Sequence, residues 1–232
     1  MKVVIMQPYL FPYLGYWQMI ALADVFVLFD DVNFIKKGWI NRNNILLNNS
    51  AHLFTLPLQH ASQNKLINQI NINDNIKEKQ KLLKMFESAY KKAPFFSEVF
   101  PIISSIVMYD QPNLARFLMN QFNILFTYMG IKSRLVYSSE IHKDNSLRAQ
   151  DKIIDICHRL NATHYINAIG GLNLYSRERF NDENIVLNFI KMGDVSYKQF
   201  NDQFIPFLSI IDVMMFNDKC EIKEMLNKYD LL

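Results

Sequence analysis

Near its start the chain has two short, continuously apolar runs separated by a helical segment. Residues 2–6 read Lys-Val-Val-Ile-Met, and residues 25–29 read Val-Phe-Val-Leu-Phe. Residues 15–23, between them, carry apolar side chains at helical spacing. Because a strand, a helix and a strand in succession join parallel strands, the sequence predicts an α/β fold with a mostly parallel sheet and flanking helices.

Strand and helix patterns alternate along much of the remaining chain. Further strands are predicted at 53–56, 69–73, 133–137, 164–167 and 185–190, and helices at 74–92, 100–107, 114–129, 151–160, 207–216 and 221–228. No internal repeat or linker divides the sequence. We therefore expect a single domain, residues 1–232, with a helical insertion or subdomain at about 74–127.

Composition excludes several classes of protein. The net charge is only +3 and no basic stripe is present, which argues against DNA binding. Cys157 and Cys220 form no CxxC pattern, so we expect no disulfide and a reducing, cytoplasmic location. No run approaches the roughly 20 apolar residues of a membrane span, and the first residues do not resemble a signal peptide. His158 and His164 share no helical face, and we predict no metal site.

Two acids follow the second apolar run. Asp30 and Asp31 would lie at the carboxyl end of a parallel strand, where open α/β sheets bind ligands. Neighbouring like charges raise one pKa, which favours a general base. His60, just past another predicted strand, is a further candidate base. The alternatives are a strand-ending turn for the acids and a surface loop for the histidine.

An aromatic, proline-rich loop follows the first strand. It begins Gln7-Pro8-Tyr9 and continues through Tyr13 to Leu14. Tyr9 and Tyr13 would stack on a base or sugar, and Gln7 would hydrogen-bond to it. The alternative is a hydrophobic plug over the sheet, with the prolines fixing the loop.

A basic segment comes soon after the two acids. Lys36, Lys37 and Arg42 offer contacts to a diphosphate, and Trp39 offers a stacking surface. Asn41 belongs to the same segment and is a candidate ligand contact. The alternative is an exposed basic loop.

Two later segments add polar candidates. Gly170 and Gly171 follow a predicted strand, with Asn167 and Tyr175 beside them, as in a turn that approaches a substrate. An ordinary tight turn is the alternative.

Ser209 and Asp212 are three residues apart on an apolar helix and share a face. They would line the site, or Ser209 would only bond to the helix backbone. No G-x-S-x-G elbow surrounds Ser209, so it is not expected to be a nucleophile.

Several of these segments together resemble the WbqC-like family, namely residues 6–16, 30–43, 90–96, 165–171 with Tyr175, and 204–212. The resemblance implies a role in a bacterial O-antigen or related surface polysaccharide pathway. It also implies attachment of glycine, or another acyl group, to an amino sugar.

The amino-terminal half also resembles pantothenate synthetase and the small nucleotidylyltransferases in fold. Tyr13-Leu14-Gly15-Tyr16 stands where those enzymes have His-x-Gly-His. The histidines contact nucleotide phosphates, so their replacement argues against adenylyl transfer. The first turn of the helix would still offer unpaired N–H groups to an anion.

The preferred hypothesis is an enzyme that transfers an aminoacyl (glycyl) or other acyl group to the amine of a nucleotide-linked deoxyamino sugar. The donor would be an aminoacyl-tRNA, an acyl carrier protein, acyl-CoA, or a free acid with ATP. Backbone N–H groups near Gly170 would stabilise the oxyanion. The alternatives are a non-catalytic partner protein of a glycan-biosynthesis complex, and nucleotidyl transfer. A homodimer is also compatible with the sequence.

Overall fold

The fold contains one large sheet, two small sheets and flanking helices. The computed structural model describes residues 1–73 and 75–232. The strands within these residues are β1 (Lys2–Met6), β2 (Val25–Leu28), β3 (Arg42–Leu47), β4 (Ser50–Thr55), β5 (Leu58–Gln59), β6 (Asn71–Ile72), β7 (Arg134–Tyr137), β8 (His164–Ala168), β9 (Val186–Met192) and β10 (Tyr229–Leu231). The α-helices there are α1 (Leu14–Leu22), α2 (Ile76–Tyr90), α3 (Phe96–Val107), α4 (Leu114–Met129), α5 (Ala149–Arg159), α6 (Arg177–Asn181), α7 (Ile210–Phe216) and α8 (Lys219–Met225).

The large sheet has the strand order β10-β9-β8-β1-β2-β7. Strands β1, β2, β7, β8 and β9 are parallel, and β10 joins the edge antiparallel to β9. Val3 of β1 lies opposite Val25 of β2 on one side and Tyr165 of β8 on the other. The predicted α/β fold with a mostly parallel sheet is therefore confirmed.

Helices cover both faces of the sheet, which explains why Val3–Ile5 of β1 and all of β2 are apolar. Side chains alternate between faces along a strand. Val4 packs into a core formed with α1 to α4, α7 and α8. Val3 and Ile5 pack into a second core, formed with α5 and α6. A strand covered on both faces has no polar side.

The segment between β2 and β7 contains both small sheets and helices α2 to α4. The predicted strands at 53–56 and 69–73 correspond to β4 and β6, which pair antiparallel with β3 and β5 in the two small sheets. The predicted helical region begins at Asp74, which lies outside the described residues. Helices α2 to α4 share their buried core with α1. The division of the chain into domains stays a prediction.

Helix α4 has the bounds that the sequence predicts. The Asn113 side chain accepts a hydrogen bond from the Arg116 amide at 3.1 Å and so caps the first turn. Gly130, with φ of 69°, ends the helix in the left-handed conformation. In the described part of the chain, no helix has the length and apolar character needed to cross a membrane.

Candidate functional site

The carboxyl ends of the parallel strands meet at one edge of the sheet. The strand order reverses beside β1, and open α/β sheets bind ligands at such a point. Gln7 and Tyr9 follow β1, Asp30 and Asp31 follow β2, and Asn167 lies near the end of β8. The topology therefore brings these predicted residues to the same edge.

A cavity of about 820 Å³ opens at this edge, beside the start of α5. Phe29 and Tyr175 contribute apolar surface to it. Its polar wall contains Asp31, Asn33, Ser139, Asn145, Arg148 and Lys152. The volume is in the range of roughly 300–1,000 Å³ that is usual for small-molecule sites.

Asp31 is held by two lysines. Its Oδ2 lies 2.8 Å from Nζ of Lys143 and 3.1 Å from Nζ of Lys152. Burial disfavours the ionised carboxyl, but the hydrogen bond from Lys143 and the charges of both lysines outweigh it, so the pKa of Asp31 lies below its usual range. The rise expected from a pair of acids is not found here. Asp31 is ionised at neutral pH and is a weak base.

The other oxygen of this carboxylate has no hydrogen-bond donor. Oδ1 of Asp31 is buried, and no group among residues 1–73 and 75–232 donates to it. The buried Ser138 hydroxyl lies close enough to this carboxylate to help lower the pKa of Asp31, although the two groups miss strict hydrogen-bond geometry. An unpaired buried oxygen is unfavourable.

Asp30 has different surroundings. Its Oδ2 accepts hydrogen bonds from the Ser139 hydroxyl at 2.7 Å and from Asn68 at 3.2 Å, and its Oδ1 accepts one from the Ser139 amide at 3.0 Å. Asp30 lines a separate cavity of about 250 Å³ together with Arg116 and Tyr137. Ser139 lines both cavities. Asp30 thus fastens the end of β2 to the segment after β7, and its catalytic role stays a prediction.

Helix α5 begins at the cavity wall without a capping side chain. Arg148 precedes the first turn, and its guanidinium donates to the carbonyls of Asn145 at 2.9 Å and Leu147 at 3.1 Å. Ala149 has φ of 46°, a strained conformation for a residue with a Cβ. The unpaired N–H groups of a first turn carry partial positive charge. This end of α5 therefore adds to the positive character of the cavity.

The aromatic loop after β1 is held by its own contacts. The Tyr16 hydroxyl donates to the carbonyl of Gln7 at 2.7 Å, and the rings of Tyr9 and Tyr16 lie 5.3 Å apart. Burial raises the pKa of the half-buried Tyr9 and Tyr13. Gln7, Tyr9 and Tyr13 are outside the described wall of the cavity. Their role in ligand binding stays a prediction.

Tyr13 lies against the first turn of α1. A Cβ on Gly15 would come 2.7 Å from Cε2 of Tyr13, so a side chain there would require the ring to move. The ring of Phe207 lies 6.3 Å from that of Tyr13. Tyr16 is only 1% exposed. Tyr13 and Tyr16, which the sequence comparison sets against the two nucleotidylyltransferase histidines, are therefore packed against neighbouring residues.

The basic segment forms an exposed loop. The Arg42 guanidinium donates to the carbonyls of Lys37 and Gly38 and lies 5.9 Å from the Trp39 ring. The Asn41 amide donates to the Leu56 carbonyl at 2.8 Å. Lys36, Lys37 and Trp39 are exposed. The structure places this segment outside the described cavity wall, and its contact with a ligand stays a prediction.

The predicted glycine turn is a short 3₁₀ helix after β8. Gly171 packs on Asn167, where a Cβ would lie 3.1 Å from the amide nitrogen. Asn167 donates to the Tyr165 hydroxyl at 3.0 Å. Of this group, Tyr175 lines the cavity, whereas Asn167, Gly170 and Gly171 are outside its described wall.

Ser209 and Asp212 are buried at the start of α7. Ser209 caps the helix by accepting a hydrogen bond from the Ile211 amide at 3.2 Å. Asp212 accepts hydrogen bonds from Tyr90, Tyr197 and Gln199 at 2.7–2.9 Å. Burial raises the pKa of Asp212, although these hydrogen bonds oppose the rise. These contacts join α2, α7 and the segment before α7, and a binding role for either residue stays a prediction.

His60 is exposed in the segment between β5 and β6, with φ of 48°. It is outside the described wall of the cavity. Within the described ranges, no three His, Cys, Asp or Glu side chains are grouped so that they could hold a metal ion.

Sequence reasoning missed the cations around Asp31. Lys143 lies in an irregular segment, and the Lys152 ammonium reaches the Asp31 carbonyl across 121 residues of sequence. One signal was present, because Lys152 comes four residues before Ile156 and so shares the apolar face of α5. A lysine on that face needs a partner inside the fold.

Comparison with known proteins identifies the family. The chain is similar to the uncharacterized protein Rv1507c of Mycobacterium tuberculosis (strain ATCC 25618 / H37Rv), with 26% identity over 227 residues that cover 97% of each chain. No solved structure matches it. The model of the WbqC-like protein family matches residues 7–224, which confirms the resemblance seen in the sequence. The chain belongs to the WbqC-like protein family.

Proposed function

We propose that this protein binds a nucleotide-linked amino sugar in the 820 Å³ cavity and transfers an acyl or aminoacyl group to its amine. The pathway would be the biosynthesis of a bacterial O-antigen or related surface polysaccharide, as the family resemblance implies. The residues that line the cavity are the observation that supports an anionic small-molecule ligand.

The main support for this proposal is the charge of the groups at the cavity. Lys152 and Arg148 line its wall, and Lys143 lies behind it, with Asp31 as the carboxylate that both lysines contact. Three cations thus accompany the Asp31 carboxylate, and the start of α5 adds partial positive charge. Because cations at a cavity need a counterion, the structure favours a ligand that carries phosphate or carboxylate.

The shape of the cavity supports a sugar nucleotide in particular. Phe29 and Tyr175 offer apolar surface for a base or a sugar ring, and Asn33, Ser139 and Asn145 offer hydrogen-bonding groups. Small-molecule sites combine an apolar wall with a few polar groups in this way.

The reaction would join the amine nitrogen to the acyl carbon. An activated donor, either a thioester of CoA or of a carrier protein or an aminoacyl-tRNA ester, would lose its C–S or C–O bond. The leaving group would depart with the electron pair and take the proton of the attacking amine. The roles predicted for Asp30, Asp31 and His60 in this step stay predictions.

Thermal unfolding against UDP- and dTDP-linked amino sugars, ATP, acyl-CoA and glycine tests the proposal. A ligand at ~100 times its Kd adds about 2.7 kcal/mol to the native state, which raises the Tm. A rise with an amino sugar nucleotide, followed by an amide product in mass spectrometry, supports it. A rise with ATP alone favours adenylate chemistry. No rise with any ligand favours the partner-protein alternative.

A further inference from the structure

We propose that the sugar end of the acceptor lies in the second cavity, of about 250 Å³, with its amine at the carboxylate of Glu140. The nucleotide would stay in the larger cavity at the start of α5. This inference rests on the proposed function, because it divides the ligand of that function between two neighbouring cavities.

The two cavities open next to the end of β2. Asp31 lines the larger cavity and Asp30 lines the smaller one. Ser139 lines both and is exposed, so the cavities meet at this residue. A ligand that passes over Ser139 would have one end in each cavity.

The walls of the two cavities differ in charge. The wall of the larger cavity contains more basic than acidic side chains. In the smaller cavity the balance is reversed, because its wall contains Asp30 and Glu140 but only one basic residue, Arg116. A nucleotide-linked amino sugar is anionic at its diphosphate and cationic at its protonated amine. Each end of such a ligand would therefore meet the opposite charge.

Glu140, rather than Asp30, is the carboxylate that a ligand can reach. Asp30 is only 2% exposed, and both of its oxygens already accept hydrogen bonds, from Ser139 and Asn68. Glu140 is exposed, and no described cation lies within ion-pair distance of it. Arg116 and Glu140 thus line the same cavity without pairing to each other. This arrangement leaves the Glu140 carboxylate available to an ammonium group.

The lining of the smaller cavity suits a sugar ring. Apart from Ala115, every residue in its wall has a polar side-chain group. Burial raises the pKa of Tyr137 to about 12, so its hydroxyl stays protonated and can donate to a sugar oxygen. The volume of about 250 Å³ is below the roughly 300–1,000 Å³ of complete small-molecule sites, as expected for one ring of a larger ligand.

A third cavity, of about 350 Å³, also has Arg116, Tyr137 and Glu140 in its wall. It extends along α4 to Asn123. An amine held by Glu140 would therefore lie between the sugar and a further open space, which leaves room for the acyl donor.

Calorimetric binding of matched sugar nucleotides tests the inference. UDP- and dTDP-linked sugars with an amine at C2, C3 or C4 are each compared with the form that has a hydroxyl at the same carbon. We expect at least one amine form to bind roughly tenfold more tightly than its hydroxyl form, as for a hydrogen bond to a charged group. Added salt should reduce this ratio.

Glu140→Gln should bring the ratio to about one and leave binding of the hydroxyl form unchanged. Glu87→Gln makes the same change at an exposed position of α2, outside the described walls of these cavities, and should preserve the ratio. Arg116→Met removes the cation that opposes the ammonium group and should raise the ratio. Melting curves check that each variant is folded.

Equal binding of the amine and hydroxyl forms by the wild type overturns the inference but leaves the proposed function intact. An unchanged preference in Glu140→Gln also overturns it, since the amine would then lie elsewhere. Binding of no sugar nucleotide overturns both the inference and the proposed function.

Discussion

Gln121 of α4 holds the backbone of Phe11 in the aromatic loop. Its Oε1 accepts a hydrogen bond from the Phe11 amide at 2.9 Å, and its Nε2 donates to the Tyr9 carbonyl at 3.0 Å. Phe11 is buried with φ of 43°, a strained conformation for an aromatic residue. The Gln121 amide therefore helps to fix the shape of the loop after β1, together with the Tyr16 and Asn43 side chains that bond to the same loop.

Replacement of this amide should destabilise the protein. Gln121→Met keeps the volume but leaves two backbone groups unpaired, which costs about 1–3 kcal/mol for each. Urea unfolding followed by circular dichroism measures the loss. The exposed Asn123 on the same helix is the control, and Asn123→Ala should stay within about 0.5 kcal/mol of wild type. Equal stability of Gln121→Met and wild type would show that the loop is held by other contacts.

The buried Asp212 should give a stability that falls as the pH rises. Its pKa is raised in the folded protein, so it favours folding while it is protonated. This contribution is lost as the pH rises from the usual Asp pKa, about 3.9, through the higher pKa that Asp212 has in the folded protein. Asp31 acts in the opposite sense. Its pKa is lowered in the folded protein, so its contribution to the free energy of unfolding is lost as the pH falls from about 3.9 through that lowered pKa.

The comparison of Asp212→Asn with wild type isolates this effect. We expect the free energy of unfolding to fall less between pH 4 and neutral pH in the variant, as measured by urea unfolding at several pH values. Asp151→Asn should follow the wild-type curve, since that side chain is half exposed. Parallel curves for Asp212→Asn and wild type would contradict the prediction.

Gly15 should tolerate no side chain. Alanine normally stabilises a helix by about 1 kcal/mol relative to glycine. Here its Cβ would lie 2.7 Å from the Tyr13 ring, and such overpacking costs about 1–3 kcal/mol. We expect Gly15→Ala to lower the Tm, whereas Gly170→Ala, with open space around the glycine, should not. A Tm of Gly15→Ala at or above that of wild type would mean that the ring moves freely.

The parts of the fold that could be predicted from sequence are those fixed by local pattern. The apolar runs of β1 and β2 and the capped helix α4 are of this kind. Strand β3 was missed because it begins with polar residues. Its Asn43 is buried, and its amide donates to the Leu10 and Phe11 carbonyls at 3.1 and 2.8 Å, contacts that no local pattern reveals.

The candidate site likewise contains residues that the local sequence predicts and residues that only the folded protein brings together. Asp31 could be proposed because an acid after a buried strand falls at the ligand-binding edge of a sheet. Its partners Lys143 and Lys152 come from beyond β7, and only the folded sheet brings them to the carboxylate. The opposite orientations of Asp30 and Asp31 likewise depend on tertiary hydrogen bonds.

Binding of a nucleotide should depend on Lys152 rather than on the exposed basic loop. Lys152 lines the cavity, whereas Lys36 is exposed outside its described wall. Lys152→Met should weaken binding of the amino sugar nucleotide by roughly tenfold or more, as for loss of a charged hydrogen bond. It should also reduce the dependence of the Kd on salt. Lys36→Met makes the same change in charge and should leave the Kd within about twofold of wild type. Weaker binding in Lys36→Met, with normal binding in Lys152→Met, would move the phosphate site to the loop around Trp39.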